Sequence, residues 1–135
     1  MLNTFHGTRC LYRPHDNGIH EFIFTESSHQ AVDEWFAQLE VLTRSAEVGT
    51  MMHYLVRSTA PAPLPAAYML KSAHRWIADN RYLYTARIVF LHRSNFYYPH
   101  AKLFIRAWQM SNGIAVRFYP ADRREDAVRW LLGNN

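Results

Sequence analysis

In the run Ile19–Thr25 the residues Ile19, Glu21 and Ile23 alternate with His20, Phe22 and Phe24, as the two faces of a strand do. This run and Arg9–Pro14, which has the composition of a short strand, flank the dipeptide Asn17-Gly18. An Asn-Gly pair between two alternating runs is the strongest short-range signal for a β-hairpin. The chain is therefore predicted to open with two antiparallel strands.

Beyond this hairpin the apolar residues recur at helical spacing. One predicted helical face carries Val32, Trp35, Phe36, Leu39 and Leu42. Ser27 and Gln30 have the spacing of a capping box, so we expect this helix to begin there and to end near Gly49. Pro65 suits the first turn of a second helix. The apolar stripe of that second helix is Met69, Ala73, Trp76 and Ile77.

Three further apolar runs have the composition of strands. They are Met51–Arg57, Ala86–Leu91 and Ile114–Tyr119, and the first is short and apolar enough to be buried on both faces. Pro99 is expected to start a third helix, which Asn112-Gly113 would end. The apolar face of that helix would be Ala101, Phe104, Ile105 and Trp108.

Asp122 and Glu125 resemble a second capping pair, which predicts a last helix through Ala127, Val128, Leu131 and Leu132. The predicted order is β-β-α-β-α-β-α-β-α. Strands that alternate with helices form parallel sheets. We therefore expect an α/β fold, with a mixed sheet, an N-terminal antiparallel hairpin and helices packed on it. The 135 residues are enough for one domain with a substantial core, over residues 1–135.

Composition narrows the class of protein. Hydrophobic residues make up 49% of the chain and aromatic residues 15%, which excludes disorder. The net charge is +4, but the basic residues are scattered from Arg9 to Arg129, so no nucleic-acid-binding face is expected. No apolar stretch approaches the ~20 residues of a membrane span, and no signal peptide is recognisable at the start. A cytoplasmic location is the expectation.

Few residues suggest chemistry. Cys10 is the single cysteine, so an internal disulfide and a cysteine-based metal site are excluded. The eight histidines do not form a metal-binding motif, although His53 and His92 both fall on predicted strands. Ser58 lacks the glycines of a nucleophile elbow. We therefore expect no catalytic residue, no metal and no cofactor.

Polar residues follow two of the predicted strands, where ligands of α/β proteins bind. Neighbouring strand ends would bring guanidinium, imidazole and hydroxyl groups together, as an anion site requires. The candidate ligand- or partner-binding residues are Arg57, Ser58, Thr59, His92, Arg93, Ser94, Asn95, Tyr97 and Tyr98. The tyrosines would contact a partner or a second copy of the chain. The alternative is structural: polar residues commonly end strands and cap helices, and loop aromatics cover the edge of a core.

Four segments resemble the SpoIIAA-like proteins, which are grouped as STAS/SEC14-type domains and share the fold of the anti-sigma-factor antagonists. These segments are GIHEFIFTE, MMHYLVR, ARIVFLHRS and VRFYPADRREDAVRWL. The resemblance implies a single STAS-like domain without enzymatic activity. Such domains are interaction modules or phosphorylation switches, and some bind nucleotides or lipids.

The chain departs from that family at the phosphorylation site. Typical members carry Asp-Ser-Ser or Asp-Ser-Thr at the start of the helix after the third strand, where this chain has Pro65-Ala66-Ala67. We therefore expect a regulatory or protein-interaction module without the usual phosphorylatable serine, which binds a protein partner or self-associates. The alternative is a small-molecule binder that takes an anionic or lipid-like ligand at the C-terminal ends of the parallel strands.

Overall fold

Five strands form one mixed sheet in the computed structural model, which describes residues 8–47, 49–80, 85–92 and 113–133. The elements are β1 Cys10–Pro14, β2 Ile19–Phe24, α1 His29–Ser45, β3 Met51–Ser58, α2 Ala66–Asn80, β4 Thr85–His92, β5 Ile114–Pro120, a 3-10 turn Ala121–Arg123 and α3 Arg124–Leu131. The helix predicted from Pro99 lies outside the described residues.

The order of the strands across the sheet follows the chain. β1 pairs antiparallel with β2, and the pairs β2–β3, β3–β4 and β4–β5 are all parallel. The predicted α/β class, with a mixed sheet and an N-terminal hairpin, is confirmed. Parallel crossovers are right-handed in nearly all proteins, so crossovers that advance in one direction place their helices on one face of the sheet. We call the face that α1 and α2 cover the α1–α2 face, and the opposite one the α3 face.

Gly18 allows the hairpin turn to close. Its φ of 88° lies in the left-handed region, which favours glycine. The amide of His15 donates to the carbonyl of Ile19 at 2.9 Å, and the amide of Gly18 donates to the carbonyl of His15 at 3.1 Å. The side-chain oxygen of Asn17 accepts from the amide of Ile19 at 3.1 Å. The hairpin that Asn17-Gly18 predicted is confirmed, with Gly18 rather than both residues in the left-handed region.

The main core lies on the α1–α2 face, and Trp35 is at its centre. Its ring meets those of Phe22, Phe24 and Phe90 nearly edge-on, at centroid distances of 6.3, 5.9 and 5.8 Å. Both predicted helical stripes are buried here, as expected from their spacing. This packing holds α1 and α2 against the strands from which the candidate site projects.

A smaller core lies on the α3 face. Ala127, Trp130 and Leu131 of α3 pack on residues from three strands, which are Ile19, Leu55, Val89 and Leu91. Arg87 and Arg117 flank the Trp130 ring at 5.3 and 4.9 Å from its centroid. Arg87 Nη1 also donates to the carbonyl of Trp130 at 2.6 Å, at the end of the helix.

The ends of α1 differ from those predicted. Ser28, rather than Ser27, is the N-cap, and its hydroxyl accepts from the amide of Ala31 at 3.1 Å. The hydroxyl of Ser27 instead donates to the carbonyl of Pro63, in the loop before α2. The helix ends at Ser45, well before Gly49, because the next residue has left helical geometry.

The starts of α2 and α3 also differ from those predicted. Pro65 lies immediately before α2, and its carbonyl accepts from the amide of Met69 at 2.9 Å. Asp122 is not the cap of the last helix, because the chain first forms a 3-10 turn after Pro120. Arg123 occupies the N-cap position, and its side chain makes no capping hydrogen bond to the backbone of the helix.

Candidate functional site

The predicted site residues at the end of β3 point in different directions. β3 and β4 are parallel neighbours, so their carboxyl ends lie side by side, as the sequence suggested. Successive strand residues alternate between faces. Arg57 therefore projects on the α3 face, whereas Ser58 projects on the α1–α2 face with His92 level with it. The strand ends do not bring Arg57 together with Ser58.

Ser58 and Thr59 both hold the loop that leaves β3. The hydroxyl of Ser58 accepts from the amide of Ala60 at 3.1 Å. The amide and the hydroxyl of Thr59 both donate to the carbonyl of Phe24, at 2.9 and 3.3 Å. These contacts match the structural alternative, in which polar residues terminate a strand. The remaining candidates, Arg93, Ser94, Asn95, Tyr97 and Tyr98, lie outside the described residues, so their roles stay predictions.

Arg57 reaches a buried carboxylate. Glu21 of β2 is 1% exposed, and Arg57 Nε donates to its Oε2 at 2.7 Å. Arg124, the first residue of α3, donates to the same carboxylate through Nη1 at 3.2 Å and Nη2 at 3.3 Å. His15 Nε2 lies 2.7 Å from Glu21 Oε1. Side chains from the hairpin turn, β3 and α3 thus converge on one group.

The alternation of residues along β2 and its pairing with β1 determine which side chains lie near Glu21. Glu21 lies between Ile19 and Ile23 on the α3 face, in a position that alternation assigns to the interior. Arg13 of β1 is directly opposite Glu21 in the register, and the alternation of β1 puts it on the same face. We call Arg13, His15, Glu21, Arg57 and Arg124 the Glu21 cluster.

Opposing effects set the pKa of Glu21. Burial disfavours the charged form and raises the pKa of this carboxyl, whereas hydrogen bonds from Arg124, Arg57 and His15 lower it. The hydrogen bonds and the nearby positive charge prevail and bring the pKa down to about 2 from an ordinary 4.5. Glu21 is therefore a carboxylate at any physiological pH, and it holds the guanidiniums of two arginines in place.

The cluster keeps positive charge and unused donors. Three guanidiniums against one carboxylate leave a formal charge of +2 with His15 neutral. The side chains of Arg57 and Arg124 are 32% and 41% exposed, and Arg13 is exposed as well. No described residue accepts a hydrogen bond from Nη1 or Nη2 of Arg57. Guanidiniums presented in this way bind carboxylate and phosphate oxygens.

A second surface feature lies between α1 and α2. It is a groove of about 180 Å³, lined by Asp33, Phe36, Tyr68, Ser72, Arg75, Trp76 and Asp79. The Tyr68 hydroxyl donates to Asp33 Oδ1 at 2.6 Å, and this bond to a carboxylate raises the pKa of Tyr68. The ring of His29 stacks on Tyr68 at 3.9 Å between centroids. This hydrogen bond and this stacked pair join the start of α1 to the start of α2.

The sequence indicates Arg57 as a candidate residue, but it does not indicate Glu21, Arg124 or His15, which contact one another through Glu21. An acidic residue in an inward position of an apolar strand was the available signal for Glu21, because buried carboxylates are paired. Arg124 is 103 positions away from Glu21, and no local pattern connects the two. His53 and His92 do not meet, since His53 pairs with Arg87 near the start of β3 and His92 ends β4.

Comparisons of this chain with protein-family models, with curated proteins and with solved structures find no match. Across the described ranges, no helix combines the length and the apolar character that crossing a membrane requires.

Proposed function

We propose that this chain is a non-catalytic regulatory module with a STAS-like fold, which acts by binding an acidic segment of a partner protein. The resemblance in four segments supports the family, and the order of hairpin and parallel strands agrees with it. The observation that carries the proposal is the Glu21 cluster. A buried carboxylate fixes Arg57 and Arg124 at the surface while the terminal nitrogens of Arg57 stay unpaired among the described residues.

The excess of positive charge distinguishes this cluster from an ordinary structural ion pair. One cation would suffice to neutralise Glu21, yet two arginines and a histidine contact it, and Arg13 adds a further charge beside them. Surplus guanidiniums that are already oriented lose little side-chain entropy when they bind an anion. An acidic partner segment is the complement of such a surface.

A second candidate function is the binding of an anionic or lipid-like small molecule at the carboxyl ends of the parallel strands. The observation in its favour is the β3–β4 register, which pairs Val56 with Phe90 and so puts Ser58 and His92 on the same face two residues further on. The hydroxyl of Ser58 already accepts a backbone hydrogen bond, so the Glu21 cluster is the stronger candidate.

Binding of a fluorescent peptide rich in aspartate and glutamate tests the proposal by anisotropy at fixed ionic strength. Arg57→Gln removes the terminal guanidinium nitrogens of Arg57, and we expect the peptide to bind about fivefold more weakly. Arg75→Gln removes the same charge from α2 on the opposite face and should leave the affinity within about twofold. Equal losses in both variants, or no saturable binding by the parent protein, would contradict the proposal.

A further inference from the structure

We infer that the Glu21 cluster recognises a phosphate monoester on the partner protein, in preference to a carboxylate. This inference rests on the proposed function, because it names the chemical group that the docking segment carries. It follows from the charge of the cluster, from the donors that Glu21 leaves unused and from the position of Arg13.

The charge of the cluster matches a dianion. Arg13, Arg57 and Arg124 together exceed the single carboxylate of Glu21 by two positive charges. A carboxylate of the partner brings one negative charge, whereas a phosphate monoester carries about −1.5 to −2 near neutral pH. Only the phosphate brings the charge of these four side chains close to neutrality.

The donors of the cluster suit three acceptor oxygens. Arg57 binds Glu21 through Nε. Because a guanidinium is planar, the edge formed by its two terminal nitrogens faces a different direction from the Nε–H bond. The two terminal nitrogens of one guanidinium match the two oxygens of a carboxylate. A carboxylate would therefore leave the donors of the other guanidiniums without a partner. A phosphate monoester has three terminal oxygens, and it can accept from the fork of Arg57 and from a second guanidinium at once.

Arg13 is placed to provide that second guanidinium. It lies opposite Glu21 across the β1–β2 pair, where facing residues are about 5 Å apart at Cα. Its side chain is exposed and makes no hydrogen bond or ion pair with any described residue. At the start of α3, Asp126 already pairs with Arg123 and Arg129. That carboxylate therefore competes little for the arginines of the cluster.

Three peptides of one sequence test the inference, with phosphoserine, glutamate or serine at the central position. We expect the phosphoserine peptide to bind about tenfold more tightly than the glutamate peptide, and the serine peptide not to bind measurably. Arg13→Gln should weaken phosphoserine binding about fivefold, and Arg75→Gln should leave it within about twofold. The side chain of Arg13 makes no hydrogen bond or ion pair with Glu21, so its variant is expected to keep the parent melting temperature. That measurement separates lost binding from lost folding.

Each alternative result has a definite meaning. Equal affinity for the phosphoserine and glutamate peptides overturns the phosphate inference and leaves the proposed acidic docking segment standing. Failure of both peptides and of the aspartate- and glutamate-rich peptide overturns both. Phosphatidylcholine vesicles that contain phosphatidic acid provide a lipid source of the same group. Binding to these vesicles without binding to the phosphoserine peptide overturns a protein partner.

Discussion

Glu21→Gln is the substitution that most directly tests how the α3 face is held together. The pKa of Glu21 is about 2 in the folded chain against an ordinary 4.5. At about 1.4 kcal/mol per pKa unit, this difference corresponds to about 3 kcal/mol of folding free energy. Water reaches both arginines, which screens the ion pairs and lowers the expected loss to about 2 kcal/mol.

The loss should depend on pH in a defined direction. A carboxyl whose pKa is lowered by folding stabilises the folded state at pH values above its ordinary pKa of 4.5. This contribution disappears as the pH falls from 4.5 towards 2, because the folded state must then take up the proton that the unfolded state already holds. The glutamine variant lacks this titration. The difference in unfolding free energy between the two proteins should therefore fall by more than half by about pH 3.

Urea unfolding followed by tryptophan fluorescence at pH 7, 5.5 and 3 measures this difference. Glu26→Gln is the matched control, because Glu26 pairs with Arg9 at 3.4 Å while both side chains are 47% exposed. The control should change stability by no more than about 0.5 kcal/mol. A difference for Glu21→Gln that stays constant from pH 7 to 3 would show that the ion pairs do not set the pKa of Glu21.

Two further predictions concern the helices. Ser28→Ala should lower the free energy of unfolding by about 1 kcal/mol, because it removes the observed N-cap of α1. Ser27→Ala should lower it by about half of that or less. The reverse order in urea unfolding would show that Ser27 is the cap. Trp130→Ala should lower the free energy of unfolding by about 3 kcal/mol or more, since it removes the large buried ring of α3 that Arg87 and Arg117 flank. A melting temperature close to that of the parent chain would show that α3 contributes little to the stability of the fold.

Local periodicity predicted the strands and the apolar helical stripes well. All five described strands lie within one residue of their expected bounds. Short runs of apolar, β-branched and aromatic residues that fit a pleated, buried surface are enough to indicate a strand. Helix ends were less predictable. Two adjacent serines both precede α1, and only the path of the loop decides that Ser27 bonds to the carbonyl of Pro63 while Ser28 caps the helix.

The candidate site was harder to predict from the sequence than the fold was. The sequence indicates Arg57 because it ends a buried strand, and the same reasoning groups it with Ser58 and Thr59, whose hydroxyls hold the loop that leaves β3. The Glu21 cluster joins the hairpin turn, two strands and α3, so it exists only once the strand order and the packing of α3 are known. A short sequence pattern cannot contain a contact between residues 103 positions apart.

Stability alone does not account for a carboxylate at position 21. Well-packed apolar residues often stabilise a fold as much as a buried ion pair does, because burial of charge carries a large desolvation cost. An apolar residue at this position could fill the space between Ile19 and Ile23, but it could not orient Arg57 or Arg124. What the carboxylate provides is a fixed direction for guanidiniums that still reach solvent. That property serves recognition of an anion, which is why the cluster supports a binding surface.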